Sequence, residues 1–400
     1  MASFVSYLLV ALAILLAIPV AMFFIEIVAA LILPAKKIAF HSKNTIRQRV
    51  AVLVPAHNES IGIISTLKDL KAQLFAGDRL LVVADNCVDD TAAIAAAAGA
   101  EVVERNDPTR IGKGYALDCG LKHLSLDPPT VVIIIDADCR IDEGAIGELA
   151  TTCIKTHRPV QALDLMIAPN ESRINYRVAE FAWRVKNWVR PLGLNALNLP
   201  CQLMGTGMAF PWEVIRSANI ASGSIVEDLN LGLDLAQTGN PTQFCPSASV
   251  TSQFPVSVEG AQSQRKRWEE GHISMILTKV PRLIYNAVVR RNLGLLALAL
   301  DLAIPPLSLL VILLAGMSSV TGLAVLFGFS SAALIISATC FMALLIAVFL
   351  SWLKYGRDIL PPSAMPSVVS YVFTKFPIYR QLLHRSTATQ WTRTNRRNSE

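Results

Sequence analysis

The sequence predicts an α/β protein, a mostly parallel sheet with helices on both faces, set between apolar ends. Three observations predict it. Strand-like and helix-like runs alternate from Val50 to Met166, and such alternation builds a parallel sheet with right-handed crossovers. The stretch Val131–Cys139, VVIIIDADC, sets five β-branched residues together and stops them at Asp136-Ala137-Asp138. An unbroken Val/Ile run reads as a strand buried on both faces. Finally, 53% of the 400 residues are hydrophobic and only 16% are charged, too apolar for an ordinary soluble enzyme. The excess sits at the two ends, and the middle has the composition of a soluble α/β domain.

The apolar run Phe4–Leu33 is long enough to cross a bilayer, which takes about 20 helical residues. A cleaved signal peptide is disfavoured. The run is too long, no basic region precedes it, and Lys36, Lys37, Lys43, Arg47 and Arg49 follow it. Those charges predict a cytoplasmic domain after the run and an external N-terminus. Glu26 faces another helix or lies near the interface, and the sequence gives it no role.

Val50–Pro55 is read as the first buried strand, followed by the turn Ala56–Ser60 and an amphipathic helix over Ile61–Leu74. Leu80–Ala84 is the second strand and ends in Asp85-Asn86-Cys87. A helix over Ala92–Ala98 closes at Gly99, and Glu101–Glu104 is the third strand. Gly112-Lys113-Gly114 opens a helix through His123, and the Val131 strand follows. Each strand ends in a polar cluster, and in an open α/β sheet such clusters share the ligand-binding edge. Beyond lie a helix over Asp142–Lys155, a strand over Val160–Met166 and an amphipathic helix over Asn175–Leu192. The last carries Trp188 and Arg184, which suit either a membrane interface or plain domain packing. Met204–Phe210 is a Gly-rich turn and strand. Val226-Glu227-Asp228 opens a helix through Gln237, Gln243–Val250 is a late strand, and Gln262–Gly271 is a charged helix.

The C-terminal end predicts two spans, Leu293–Gly316 and Leu323–Trp352, with a turn at Met317–Thr321. Arg290 and Arg291 precede them, and Lys354, Arg357 and a basic tail follow, so both flanks read as cytoplasmic. Ile273–Val289 and Val368–Leu383 suit helices lying in the interface plane, and the chain after Arg385 reads as disordered. The predicted divisions are therefore 1–35, 36–272, 273–292, 293–353 and 354–400. A net charge of +6 gathered beside apolar ends suits anionic membrane lipids rather than nucleic acid. Seven scattered cysteines with no CxxC pair read as reduced thiols of a cytosolic domain.

Asp136 and Asp138, at a strand's carboxyl end, suit a divalent cation held against a diphosphate, because hard cations take oxygen ligands, or form a bare solvated turn. Four clusters in order then resemble the membrane-bound family 2 glycosyltransferases, the group holding cellulose, chitin and hyaluronan synthases and many exopolysaccharide transferases. They are VPAHNE at Val54–Glu59, Asp85 in VADNCVDDT, Asp136-Ala137-Asp138, and Glu227-Asp228 followed by Gln264-Arg265-Lys266-Arg267-Trp268. The resemblance covers about Val50 to Trp268 and implies a GT-A-like nucleotide-sugar-binding sheet, flanked by transmembrane and interfacial helices.

It also implies roles. Pro55, Asn58, Glu59 and Asp85 would meet the donor's base and ribose, although turn chemistry and helix capping alone favour Asn and Asp there. Lys113, between two glycines, would reach the diphosphate, or is simply a solvated lysine on a turn. Asp136 and Asp138 would hold Mg²⁺ or Mn²⁺. Asp228 would be the base of an inverting transfer, with Glu227 its rival. The family commonly places Thr before this pair, and here it is Val226. Gln264 and Arg267 would bind diphosphate oxygens. Trp268 would give an acceptor sugar a stacking floor, or serve as a core tryptophan, and Gly205-Thr206-Gly207 would line the acceptor side.

The implied activity is transfer from a nucleotide sugar, read as a UDP-sugar, to a lipid-linked or polysaccharide acceptor at the cytoplasmic membrane face. Three spans leave few helices for a translocation channel, which favours single additions in exopolysaccharide or cell-surface glycan synthesis. The alternatives are a small processive synthase, a glycolipid synthase, or a catalytically silent membrane scaffold.

Overall fold

The computed structural model describes residues 2–34, 48–169, 174–376 and Tyr379. The expected basic segment Lys36–Arg47 and the tail after Arg385 lie outside the described residues. Two compact units divide the chain, with boundaries at Ile167/Ala168, Leu199/Pro200 and Gln264/Arg265.

Helix α1 (Ala2–Ile32) begins the helical unit. The sheet unit follows with β1 (Val50–Ala56), α2 (Ile63–Lys71), β2 (Arg79–Asp85), α3 (Thr91–Ala97), β3 (Glu101–Arg105), α4 (Lys113–Leu124), β4 (Val131–Ile134), β5 (Arg140–Ile141), α5 (Ala145–Thr156) and β6 (Val160–Ile167). The chain then crosses to the helical unit for α6 (Ile174–Arg184) and α7 (Arg190–Ala196). A π-helical turn, Val185–Val189, joins these two, so the single helix expected over Asn175–Leu192 has a wide turn at its middle. Back in the sheet unit come β7 (Met208–Pro211), α8 (Trp212–Ile215), α9 (Glu227–Gln237) and β8 (Gln243–Gln253).

The eight strands lie in the order β3-β2-β1-β4-β7-β6-β8-β5. The four-strand half β3-β2-β1-β4 is parallel, as the alternation of elements predicts. Beyond β4 the sheet is mixed: β7 runs antiparallel to both β4 and β6, while β6 and β8 are parallel. Alternate side chains of β1 and β4 feed two cores, as the period of a pleated strand requires. Val50, Val52, Val54, Val131 and Ile133 pack with Ile63, Leu67 and Leu70 of α2 and with Ile146 and Leu149 of α5. Ala51, Leu53, Val132 and Ile134 pack with Leu117, Leu121 and Leu124 of α4 and with Phe210. Full burial of each such aliphatic side chain contributes about 1.5–3 kcal/mol. That explains why these strands read as continuous apolar runs.

In the rest of the chain, α10 (Val258–Val289) is one helix, so the charged helix Gln262–Gly271 and the expected interfacial helix Ile273–Val289 are continuous. The expected span Leu293–Gly316 is corrected: α11 (Leu293–Leu302) stops short, and α12 (Leu307–Leu326) starts anew after Pro306. Pro305 and Pro306 lack the N–H that would carry α11 onward, and proline is tolerated at a helix start. The turn expected at Met317–Thr321 is helical. The reversal comes after Leu326 and before α13 (Ala332–Tyr355). Helix α14 (Met365–Thr374) covers part of the predicted interfacial segment Val368–Leu383.

Among the described residues, three helices are long and apolar enough to cross a membrane, Ser3–Ile32, Leu307–Leu326 and Ala332–Tyr355. Within the helical unit Glu26 is fully buried, and Arg190 donates from Nε to its Oε2 at 2.8 Å. Arg190 Nη2 also bonds Asp301, at 2.5 Å to Oδ1 and 2.8 Å to the carbonyl. The seven cysteines form no disulfide among the described residues.

Candidate active site

The carboxyl ends of β1 and β2 are stitched together by polar side chains. Asn58 adopts a left-handed backbone (φ 54°) just past β1. Its Oδ1 accepts from the Val88 amide at 2.8 Å, beyond the end of β2. His57 Nδ1 lies 2.7 Å from the Asp85 carbonyl, which requires the proton on Nδ1 and leaves Nε2 to accept from Asn58 Nδ2 at 3.3 Å. The Glu59 amide donates to Thr91 Oγ1 at 2.8 Å. Asp85 is 6% exposed, and its Oδ1 accepts from Arg105 Nη1 at 2.5 Å and Asn86 Nδ2 at 3.1 Å. Arg105, at the end of β3, also lies over the Tyr115 ring. The sequence reading missed Arg105. Its one signal was position, since β3 ends on the same edge as β2. Pro55 lies within β1 and is half-buried.

Two strands away, β4 ends and the chain turns through Asp136-Ala137-Asp138. The Cys139 amide donates to the Asp136 carbonyl at 3.2 Å. Thr66, buried on α2, places its hydroxyl 2.8 Å from the Ala137 carbonyl and 2.7 Å from that of Cys139, holding the turn from behind. From the other side Thr206 Oγ1 accepts from the Asp136 amide at 3.1 Å. Asp136 and Asp138 are themselves half-buried, so their carboxyl groups border solvent.

The Gly205-Thr206-Gly207 segment is fixed by Gln161, a buried residue of β6. Its Nε2 donates to the Thr206 carbonyl at 2.8 Å, and its Oε1 accepts from the Met204 amide at 2.8 Å. Gly205 (φ 95°) and Gly207 (φ 67°) take backbone conformations that favour glycine.

Lys113 opens α4 and points into this region. Its ammonium forms an ion pair with Asp136 and donates to the Gly205 carbonyl at 2.8 Å. The flanking glycines are a packing requirement. A Cβ on Gly114 would stand 2.4 Å from the Ile220 carbonyl oxygen and 2.6 Å from that of Ser222. A Cβ on Gly112 would stand 3.0 Å from Gly223 Cα. The segment that runs into Glu227 and Asp228 therefore lies directly against the Lys113 turn. A Cβ on Gly205 would sit 3.5 Å from Asp228 Oδ2 and 3.9 Å from Lys113 Nζ, so these two charged groups face one small space.

The electrostatics follow from this crowding. Burial opposes a charged Lys113, but the carboxylates of Asp136, Glu227 and Asp228 outweigh it and raise the lysine's pKa. Glu227 is pushed up to about 8, first by desolvation and then by the charge of Asp228, against the pull of Lys113. Asp228 is the member of the pair placed against Gly205. Burial raises the Cys139 thiol, which is not a reactive thiolate.

Among the predicted site residues, the fold brings together Lys113, Asp136, Gly205, Thr206, Glu227 and Asp228, and it gathers Asn58, Glu59 and Asp85 at the ends of β1 and β2. Gln264 is 5% exposed in α10, with a buried Oε1 that has no hydrogen-bond partner among the described residues. Arg267 and Trp268 belong to the helical unit, where the Trp268 ring lies 5.0 Å from that of Trp183. Among the described residues no group of three or more His, Cys, Asp or Glu side chains could hold a metal by itself. A pair of carboxylates completed by a ligand's oxygens is a different donor set, and Asp136 and Asp138 fit it. Both are hard oxygen donors on one fixed turn, and Asp136 already carries a cationic partner in Lys113.

Comparison with known proteins bears on the family and the fold. The chain is 28% identical over 260 residues to the probable glycosyltransferase YdaM of Bacillus subtilis, covering 57% of this chain and 56% of that one. It is 39% identical over 100 residues to an uncharacterised glycosyltransferase of Mycobacterium tuberculosis, covering 25% of this chain and 41% of the other. The chain thus spans about half the length of the curated relatives it matches. In fold it resembles the mannosyltransferase PcManGT of Pyrobaculum calidifontis, solved in complex with GDP-Man and Mn²⁺. The TM-score is 0.52 at 16% identity, over 86% of this chain and 98% of that one. The mixed α/β sheet accordingly has the GT-A architecture. The pattern described as glycosyltransferase-like family 2 matches residues 47–271, more than half of the sequence, and the chain belongs to that family.

Proposed function

We propose that this protein transfers a sugar from a nucleotide sugar to an acceptor hydroxyl with inversion at the anomeric carbon. The observation that carries the reading is the meeting of Lys113, Asp136 and the Glu227-Asp228 pair at one end of the sheet. A diphosphate needs cations and a nucleophilic hydroxyl needs a base, and this cluster holds groups for both. Asn58, Glu59 and Asp85, with Pro55 beside them, are assigned to the base and ribose of the donor. The Arg105 contact orients the Asp85 carboxylate. Asp136 and Asp138 would hold Mg²⁺ or Mn²⁺, which when bound neutralises charge building on the departing diphosphate.

Asp228 takes the proton of the acceptor hydroxyl while that oxygen bonds to the anomeric carbon. The bond from that carbon to the diphosphate breaks, and the nucleoside diphosphate leaves. Burial and the charge of Asp228 both disfavour ionisation of Glu227, which limits the negative charge gathered beside the base. Gly205-Thr206-Gly207 and Trp268 are assigned to the acceptor, and Gln264 and Arg267 to the diphosphate. These last assignments rest on the match of motifs. The donor is read as a UDP-sugar, with GDP-sugars as the second class, because the Pyrobaculum enzyme was solved with GDP-Man.

The acceptor is read as a lipid-linked saccharide or glycan at the cytoplasmic membrane face, among anionic lipids. The three apolar helices support membrane insertion. The basic flanks support an external N-terminus and a cytoplasmic C-terminus. The test incubates membranes containing the protein with labelled UDP- and GDP-sugars and Mn²⁺. Label extractable into organic solvent is expected, lost in EDTA and in Asp138→Ala. Long water-soluble polymer made by the purified protein alone would overturn the single-addition reading. Full activity in EDTA would overturn the metal assignment.

A further inference from the structure

Lys113 stands on the carboxylate that a divalent ion would use. Its ammonium pairs with Asp136 and is anchored by the Gly205 carbonyl at 2.8 Å. Its backbone cannot retreat, because Gly112 and Gly114 are pressed against the segment Ile220–Gly223. Movement is left to the side chain, a flexible stem carrying a compact charge. A second carboxylate lies nearby. Lys113 Nζ and Asp228 Oδ2 lie 3.9 and 3.5 Å from one point, the place a Cβ on Gly205 would take.

We propose that Lys113 is a resident counter-cation of the Asp136-Ala137-Asp138 turn, which makes divalent-ion binding conditional on a nucleoside diphosphate. This rests on reading Asp136 and Asp138 as the metal-binding pair. In the ligand-free protein the ammonium neutralises Asp136 and repels a second cation at close range, an interaction that partial burial strengthens. A diphosphate brings oxygens for both cations. The ammonium turns onto the diphosphate, and Asp136 is released to the metal ion. Nucleotide and metal then favour each other's binding by the same factor, because coupling between two ligands is reciprocal. The ion pair thus disfavours metal occupancy of the donor-free site, and it does so without any change in the backbone.

The test is a Mn²⁺ titration of the purified full-length protein in detergent, read by the paramagnetic resonance of free Mn²⁺, with and without UDP, and with GDP as a second probe. Wild type is expected to bind Mn²⁺ weakly alone and about tenfold tighter with nucleotide. Lys113→Met should bind Mn²⁺ without nucleotide about tenfold tighter than wild type, as expected from removing a like charge at this range. Lys113→Arg, which keeps the charge, should resemble wild type. Unchanged or weaker nucleotide-free Mn²⁺ binding in Lys113→Met, with an unaltered melting curve, overturns the proposal. Lys113→Gln gives the same readout if the Met variant does not fold. Asp138→Ala separates the two levels of the reading. If it loses Mn²⁺ while Lys113→Met matches wild type, the metal site stands and the counter-cation inference falls. If wild type takes no Mn²⁺ even with UDP or GDP, both fall.

Discussion

Thr66 holds Cys139. Its hydroxyl lies 2.7 Å from the Cys139 carbonyl and 2.8 Å from that of Ala137, and the side chain is fully buried beneath the turn. Thr66→Val keeps the shape and removes the single donor that the two buried carbonyls share. The expected cost is about 1–3 kcal/mol of stability. Mn²⁺ affinity measured with nucleotide should also fall, because the turn loses its rear support. Thr66→Ser should restore most of both. Wild-type Mn²⁺ binding in the valine variant would mean that β4 alone fixes the turn.

That clamp illustrates what was legible in the sequence and what was not. The apolar runs of β1, β2 and β4 were legible because strands covered on both faces leave no polar alternation to misread. The turn at Asp136-Ala137-Asp138 was legible because it interrupts such a run. Thr66 and Cys139 are 73 residues apart, with β2, α3, β3, α4 and β4 between them, and nothing local marks a threonine in α2 as a turn holder. Arg105 escaped for the same reason, its partner Asp85 being on a neighbouring strand. The antiparallel entry of β7 beside β4 is a choice of topology, and its four residues read equally well either way. The break between α11 and α12 was legible in Pro305-Pro306, but the surrounding hydropathy reads through it.

The acid pair predicts a pH dependence of stability. The folded protein holds Glu227 at about 8 against an ordinary value of 4.5, so in that window the folded state binds more protons than the unfolded chain. Stability must therefore fall as pH rises through the window. Glu227's contribution is complete below about 4.5 and lost above about 8. Glu227→Gln should flatten this part of the profile, measured as melting temperature against pH. An unchanged slope would show that Glu227 titrates as a solvated carboxyl.

The same pair separates base from neighbour. Asp228→Asn keeps shape but cannot accept a proton, so turnover should fall about 10²-fold or more while UDP or GDP affinity stays near wild type. Glu227→Gln should be milder. A reversal of the two effects would give the base role to Glu227, and loss of nucleotide affinity in either variant would point to misfolding.

Gly114 should tolerate no side chain. Its added Cβ would meet two backbone oxygens at 2.4 and 2.6 Å, neither able to rotate away as a side chain could. Gly114→Ala should cost about 1–3 kcal/mol, as overpacking does. Activity should drop with it, because the displaced segment leads into Asp228. Gly147→Ala, on α5 with nothing within 4 Å of the new Cβ, is the control and should stabilise by about 0.5–1 kcal/mol. Equal melting temperatures for the two variants would contradict the packing of the Lys113 turn.

The helical unit contains a charge arrangement with an asymmetric consequence. Arg190 is 7% exposed and bonds both Glu26, which is fully buried, and Asp301, which is 5% exposed. Two carboxylates share one guanidinium. Removing the guanidinium leaves two buried acids facing each other, whereas removing one acid leaves a balanced Arg190–Asp301 pair. Arg190→Met should therefore cost about 3–5 kcal/mol, the usual result of stripping a buried charge of its partner. Glu26→Gln should cost much less, because the amide oxygen can still accept from Arg190 Nε. Replacing Glu26, Arg190 and Asp301 together by apolar residues of similar volume should recover part of the loss, since no charge then remains to desolvate. Melting temperatures in one detergent rank the three variants. A Glu26→Gln variant as unstable as Arg190→Met would show that the Glu26 charge is required, and that the net imbalance is compensated by a further cationic group.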